Sequence, residues 1–283
     1  MWIADEWKDY ECIDTADGEK LERWGDVILC RPDPQVIWDT KSAPQLWNNA
    51  NAHYHRSSSG GGKWEYKKSV PEQWTVKYKN LTFNIKPMGF KHTGLFPEQA
   101  VNWDYMMKKI ESRPGAKVLN LFAYTGGATV ACAKAGAAVT HVDASKGMVQ
   151  WAKENAKSSG LQDAPIRYLV DDCMKFVERE IRRGNKYDAI LMDPPSYGRG
   201  PGGEVWKIEE SICQFVRRCS LLLSDNPLFF IINSYTTGLA PTVLSNLMQM
   251  CLPKGKVESS EIGLKITASS MVLPCGATGR WEK

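Results

Sequence analysis

From Lys117 to Cys251 the chain alternates short apolar runs with longer stretches of helical period, and this alternation constrains the fold more than any other feature. The strand-length runs cover 118–122, 138–143, 166–170, 187–192 and 228–233. Between them, the small residues of 126–135 suit a helix pressed against a sheet. Ser145 caps a second helix to about 157, and Met174, Val177 and Ile181 line a third. Ile208, Ile212, Phe215, Val216, Cys219, Leu222 and Leu223 share one face of a fourth, and Pro241 opens a fifth. An earlier helix begins at Pro97-Glu98-Gln99, buries Trp103, Met106, Met107 and Ile110, and stops near Pro114-Gly115. Two last strands, about 257–266 and 269–274, close the chain. Apolar strands separated by helices predict an α/β fold whose sheet is mostly parallel and covered on both faces.

Residues 1 to about 90 have a different texture. They hold seven of the eleven tryptophans (Trp2, Trp7, Trp24, Trp38, Trp47, Trp64, Trp74) and short alternating runs such as 24–30 and 74–78. These predict a small β-rich domain over 1–92, available to hold substrate, ahead of a larger domain over 93–283. The polar stretch 48–63 reads as an exposed loop. Its His53 and His55 read as solvated, with no Cys or carboxylate cluster beside them and no metal expected. No apolar stretch reaches the roughly 18 residues of a membrane span, and Met1-Trp2-Ile3-Ala4-Asp5-Glu6 lacks signal-peptide character, so a cytoplasmic protein without a membrane partner is expected. The eight cysteines stand singly in apolar patterns and read as reduced core residues. A formal charge of +4 permits a nucleic-acid partner without requiring one.

In open parallel sheets ligands bind beyond the carboxyl ends of the strands. Here those ends carry Asn120-Leu121-Phe122-Ala123-Tyr124-Thr125-Gly126-Gly127, then Asp143, then Asp171-Asp172, then Asp193-Pro194-Pro195-Ser196-Tyr197, then Asn233-Ser234-Tyr235. Three consecutive strands end in a carboxylate. Glycines at the first turn allow close backbone approach, and the helix after it offers free N–H groups to a polar ligand. Asp143 lies seventeen residues past Gly126, near the spacing at which an acid binds a ribose. The three-glycine dinucleotide fingerprint is absent, so a cofactor with a ribose and no pyrophosphate fits better than a nicotinamide dinucleotide.

The order Asn-Leu-Phe-Ala-Tyr-Thr-Gly-Gly, Val-Asp-Ala-Ser, an acid pair and Met-Asp-Pro-Pro-Ser-Tyr resembles the class I S-adenosylmethionine-dependent methyltransferases, over roughly residues 90–283. Within them it is most similar to bacterial large-subunit (23S) ribosomal RNA methyltransferases. The resemblance implies a Rossmann-like fold with a seven-stranded, mostly parallel sheet, S-adenosylmethionine as cofactor and ribosomal RNA as partner. It also implies roles for particular residues. Phe122, Ala123, Tyr124, Thr125 and Gly126, with Asn120, would approach the methionine part of the cofactor. Asp143 would take the ribose hydroxyls with Ala144 and Ser145 beside it, and Asp171 or Asp172 would meet the adenine edge next to Cys173. Gln99 matches a family position near the cofactor. Asp193, Pro194 and Pro195 would receive the methyl acceptor, Asp193 also bordering the cofactor, and Tyr197 would stack on a base.

Cytosine-C5 relatives carry a nucleophilic cysteine after the fifth strand, where this chain has Asn233-Ser234-Tyr235. That departure favours transfer to a nitrogen or another heteroatom. Cys275 is a remote candidate for a covalent role. The glycine-rich stretch 197–203, with Arg199, suits a mobile lid on a phosphate backbone, and Lys175, Arg179, Arg182, Arg183 and Lys186 suit an RNA-facing helix. The competing readings are a protein or small-molecule methyltransferase, a noncatalytic RNA-binding protein that retains the fold, and, last, a nicotinamide oxidoreductase.

Overall fold

The computed structural model describes residues 1–57, 61–199, 205–236 and 238–283. The chain divides into two compact units. A sheet unit comprises Met1–Trp2, Val101–Ile262 and Gly276–Lys283; an N-terminal unit comprises Ile3–Ala100 and Gly263–Cys275.

In the order of the chain the strands are β1 (Trp2–Ile3), β2 (Tyr10–Ala16), β3 (Glu19–Trp24), β4 (Val27–Pro32), β5 (Ala52–Arg56), β6 (Gly62–Tyr66), β7 (Trp74–Tyr78) and β8 (Leu81–Ile85). There follow α1 (Ala100–Glu111), β9 (Lys117–Leu121), α2 (Gly127–Lys134), β10 (Ala138–Asp143), α3 (Lys146–Ser158), β11 (Ile166–Val170), α4 (Cys173–Arg182) and β12 (Ala189–Met192). The chain closes with β13 (Tyr197–Arg199), β14 (Val205–Lys207), α5 (Ile208–Ser220), β15 (Phe229–Ser234), α6 (Pro241–Cys251), β16 (Lys256–Lys265) and β17 (Val272–Glu282).

The large sheet has the order β1-β16-β17-β15-β12-β9-β10-β11, the seven expected strands plus the two-residue β1 at one edge. Pairs from β15 to β11 are parallel, and β17 runs antiparallel to β15. Alternation along each strand sends Leu119, Leu121, Ile190, Met192, Phe230 and Ile232 to one face, where they bury against Phe176 of α4, Phe215 of α5 and Leu244 of α6. The opposite face carries α2 and α3. From β9 the chain steps outward to β10 and β11, then crosses back to β12 on the other side. The reversal opens a crevice beyond the carboxyl ends of β9 and β12.

The last strand is longer than expected, running from 272 to 282 rather than stopping near 274. Gly276 and Gly279 look like strand breakers, yet a Cβ on Gly279 would sit 2.6 Å from Met248 Sδ of α6. Glycine there reflects close packing against α6 rather than a turn.

In the N-terminal unit, β2 to β6 form a five-stranded sheet in sequence order, β4 and β5 pairing parallel, and β7–β8 is a separate hairpin. Asp17 and Gly18, both at positive φ (54° and 76°), make the two-residue turn between β2 and β3. The run 24–30 is not one strand but the end of β3, a turn at Gly25-Asp26 and the start of β4. The stretch 48–63 is likewise not a plain loop. Ala52 and Tyr54 are buried and β5 pairs with β4 and β6, so a strand of period two was hidden by the polar residues on its other face; residues 58–60 lie outside those described. Indole N–H groups brace this unit: Trp38 donates to the Thr15 carbonyl at 2.9 Å, Trp47 to Asp14 at 2.9 Å and Trp64 to the Met88 carbonyl at 2.7 Å.

At its centre Glu22 is fully buried and paired with the equally enclosed Arg31, which reaches both carboxylate oxygens and donates to the Lys91 carbonyl at 2.7 Å. Trp24 Nε1 donates to the same carboxylate at 3.1 Å. Removing one partner strands the other charge without water. Arg31→Met is therefore expected to cost about 3–5 kcal/mol, read by urea unfolding. The double variant Glu22→Gln/Arg31→Met should cost less than Arg31→Met alone.

Candidate functional site

Strand register puts the predicted residues in one row. Leu121 of β9 lies beside both Val142 of β10 and Met192 of β12, and Asp143 lies beside Val170 of β11. Phe122, Asp143 and Asp193 therefore leave the sheet at the same level on three adjacent strands, with Asp171 one strand further out. Backbone bonds continue the ladder past the strand ends: Ala123 N donates to the Val142 carbonyl at 3.1 Å, and Asp171 N to the Asp143 carbonyl at 3.0 Å.

The turn after β9 has an unusual backbone. Phe122, Tyr124 and Gly126 all take positive φ (54°, 51° and 79°), and two of these are bulky aromatic residues for which that conformation is strained. Such strain persists only where surrounding contacts over-determine it. Here the contacts are specific. Asp143 accepts from Tyr124 N and Ser145 N, both at 2.8 Å, so one carboxylate ties the turn after β9 to the turn after β10. Asn155, fully buried on α3, donates from Nδ2 to the Thr125 carbonyl at 2.8 Å. Phe122 N donates to the buried Cys173 Sγ at 3.3 Å. Gly126 abuts α3 so tightly that an added Cβ would lie 2.8 Å from Ala152 Cβ.

Burial pushes the Asp143 carboxyl above the ordinary carboxylate range, against the lowering effect of its two backbone donors. A half-buried carboxylate with two lone-pair sites committed to N–H groups retains acceptor capacity toward hydroxyl donors. Ser145 exposes its hydroxyl face while capping α3, accepting from Met148 N at 3.4 Å, and Ala144 lies between it and Asp143. Asp172 caps α4 by accepting from Lys175 N at 2.8 Å, whereas Asp171 is ion-paired with Arg179. Asn120 is buried beneath the turn. Its Nδ2 donates to Thr129 Oγ1 at 2.9 Å, and that hydroxyl meets His141 Nδ1 at 2.9 Å. His141 is held neutral by burial, its pKa pushed down to about 3. Gln99 is buried in the one-turn 3-10 helix Pro97–Gln99 of the N-terminal unit.

On the other side of the crevice, Asp193 is half-buried, Pro194 buried, and Pro195 and Tyr197 exposed. The Pro195 carbonyl accepts from Trp206 Nε1 at 2.6 Å, and the Trp206 ring packs against Phe122 and Phe215 with centroids 5.7 Å away in each case. Ser196 Oγ meets Thr236 Oγ1 at 2.6 Å, binding the proline turn to the end of β15. The expected lid begins and ends as strands, β13 pairing antiparallel with β14; residues 200–204 lie outside those described. Three members of the basic helix are engaged within the protein. Arg179 pairs with Asp171, Arg183 with Glu180 at 3.0 Å, and Lys186 donates to the Leu221 carbonyl at 2.7 Å. Burial pushes the Cys275 thiol well up, opposite to what a thiolate nucleophile needs.

Asn155 and Trp206 were not singled out in the sequence. Asn155 is legible in hindsight as a polar residue among Val149, Ala152 and Ala156 on the buried stripe of α3. Trp206 carries no such signal, since its role depends on a contact with Pro195 across the β13–β14 ladder.

Three comparisons bear on this arrangement. The family model for S-adenosylmethionine-dependent methyltransferases matches residues 38–246. The chain is 31% identical over 195 residues to the ribosomal RNA large subunit methyltransferase K/L of Shewanella frigidimarina, a match over 65% of this chain and 26% of that protein. It is 27% identical over 198 residues to the corresponding protein of Colwellia psychrerythraea, over 67% of this chain and 25% of that one. The chain thus spans about a quarter of the length of these relatives. Among solved structures, the SAM-dependent methyltransferase from Agrobacterium tumefaciens superposes with a TM-score of 0.94 at 36% identity, covering 99% of this chain and 92% of that one. A methyltransferase structure complexed with SAH shares the fold, with a TM-score of 0.77 at 20% identity over 98% of this chain and 76% of that one.

Two outcomes test the geometry. Gly126→Ala must place a Cβ against Ala152 at left-handed φ, and is expected to cost at least about 1–2 kcal/mol in thermal unfolding, with partial recovery in Gly126→Ala/Ala152→Gly. Asp143→Asn is expected to weaken S-adenosylhomocysteine binding about 10–100-fold by calorimetry, the worth of hydrogen bonds to a charged group. Hydroxyl donors favour the ionised carboxylate, so wild-type affinity should fall by about tenfold per pH unit below the Asp143 pKa. That decline should begin above the usual carboxylate range near 4 and be absent in Asp143→Asn.

Proposed function

This chain belongs to the S-adenosylmethionine-dependent methyltransferase family, and from that premise we propose that it methylates a nitrogen of a ribosomal RNA base at Asp193-Pro194-Pro195. The observation that carries the reading is the rigid proline turn, fixed by Trp206 on one side and Thr236 on the other, with a carboxylate at its first position and an exposed tyrosine two residues beyond it. The names of the K/L relatives support RNA as the acceptor.

S-adenosylmethionine supplies an electrophilic methyl group on a sulfonium. The strained turn at Phe122–Gly126, held by Asp143, Asn155 and Cys173, suits its amino-acid end, and Asp143 its ribose hydroxyls. Of the acid pair, Asp171 and Asp172 are committed to Arg179 and to the α4 cap, so adenine recognition falls to whatever acceptor capacity they retain, beside Cys173. The row of carboxylates complements the sulfonium charge.

Displacement at a methyl group requires the attacking lone pair in line with the bond that breaks, so positioning supplies much of the acceleration. Asp193 accepts a hydrogen bond from the amino group of the acceptor base, and the Pro194 and Pro195 rings hold that carboxylate still. Tyr197 offers a ring face for stacking, which is worth about 1–3 kcal/mol per base. Ser234 stands at the end of β15 where a covalent route to a ring carbon would call for a cysteine, which favours a nitrogen or another heteroatom over a ring carbon as the acceptor. The β-rich domain over 1–92, assigned here to substrate holding, presents the RNA. Among the described residues no helix is long and apolar enough to cross a membrane.

The test is transfer of labelled methyl from S-adenosylmethionine to RNA from cells lacking the protein, followed by nucleoside analysis. The expected product is an N-methylated base in ribosomal RNA. Asp193→Ala should lower kcat at least about 10²-fold. Label in 5-methylcytosine, or in protein only, overturns the reading.

A further inference from the structure

The N-terminal unit gathers donor side chains on one face of its five-stranded sheet. Cys30 of β4 lies directly beside His53 of β5, and His53 directly opposite Glu65 of β6. Glu19 precedes by two residues Leu21, the β3 partner of Cys30, and His55 follows His53 by two, so alternation keeps all five on the same face. The side chains meet. His53 Nε2 lies 2.6 Å from Glu19 Oε1, Cys30 Sγ 3.4 Å from Glu19 Oε2, and His55 Nε2 2.8 Å from Glu65 Oε2. The two imidazole rings are 4.0 Å apart, centre to centre. One donor atom from each of Glu19, Cys30 and His53 lies within 4.8 Å of the others, and the same holds for His53, His55 and Glu65. The donors of a tetrahedral zinc shell stand about 3.5 Å apart, given bonds of about 2.0–2.3 Å. His53 belongs to both triads, and its ring packs against that of His55, so the two sets of donors adjoin.

We propose that this face is a structural Zn2+ site, with Glu19, Cys30, His53 and His55 as ligands and Glu65 accepting the second ring N–H of His55. The donor set matches the borderline-soft chemistry of zinc: a thiolate, two imidazoles and a carboxylate. On binding, the Cys30 thiol gives its proton to solvent, and thiolate plus carboxylate balance the charge of the ion. Four protein ligands leave no open position, so the ion joins β3, β4 and β5 and takes no part in methyl transfer. Glu65 orients His55 as an outer carboxylate commonly orients a metal-bound imidazole. The site also accounts for two histidines packed ring to ring between two glutamates.

The test uses the full chain, stripped with a chelator and titrated with Zn2+ against a chromophoric competitor. One equivalent of tight binding is expected, and Co2+ in its place should give a thiolate-to-metal charge-transfer band. Cys30→Ser should remove that band. His53→Gln, at a partly exposed ring that does not threaten folding, should abolish the tight equivalent, and Glu65→Gln should weaken it about 10–100-fold. Far-UV circular dichroism verifies that each variant is folded. The proposal is overturned if the stripped wild type binds Zn2+ no more tightly than His53→Gln, or if the Co2+ band survives in Cys30→Ser.

Discussion

The carboxylate of Asp143 is the point on which the sheet unit turns. By accepting from Tyr124 N and Ser145 N it closes two loops from neighbouring strands onto one half-buried side chain. Hydrogen bonds to a charged acceptor are worth about 1.5–3 kcal/mol each, comparable to the strain of holding Phe122 and Tyr124 at positive φ. The strained turn is thus a consequence of the clamp rather than a defect beside it. With the clamp in place, the N–H and carbonyl groups of residues 122–126 face directions that a relaxed turn would not offer.

That clamp works because parallel pairing sets the strand ends level. Adjacent strands β12, β9 and β10 end in one row, so an acid placed immediately after each apolar run arrives beside its neighbours without long side chains or long loops. The packing beneath is equally tight. Gly126 admits no Cβ against Ala152 of α3, and Gly279 of β17 lies close against Met248 and Leu244 of α6. A site built on such elements is positioned by the core itself. The proline turn across the crevice obeys the same logic, with Trp206 linking the Pro195 carbonyl to the aromatic cluster of Phe122 and Phe215.

The N-terminal unit reaches order by different means. Its sheet is small, and much of its cohesion comes from polar groups made to pair indoors: indole N–H groups on backbone carbonyls and carboxylates, and the enclosed Glu22–Arg31 pair with Tyr10 and Trp24 around it. Each pairing is directional. A unit held this way depends on partners being present as well as on its buried apolar side chains.

The α/β alternation, most strand and helix positions and the row of acids were legible in the sequence, because helix and strand periods and residues such as Ser145 act locally. So was the family, since Asn120 to Gly127 and Asp193 to Tyr197 are contiguous motifs. What the sequence could not determine was any feature made by residues distant along the chain. Asn155 meets Thr125 only after α3 has packed, and Trp206 meets Pro195 only after β14 has paired with β13. The stretch 48–63 differs from a loop for the same reason: His53 and His55 look solvated until β4 and β6 supply the neighbours that make β5 a strand and bring Cys30, Glu19 and Glu65 to them. Local chemistry decides which elements form; which polar groups they bring together is decided by tertiary packing, where each buried group must find a partner.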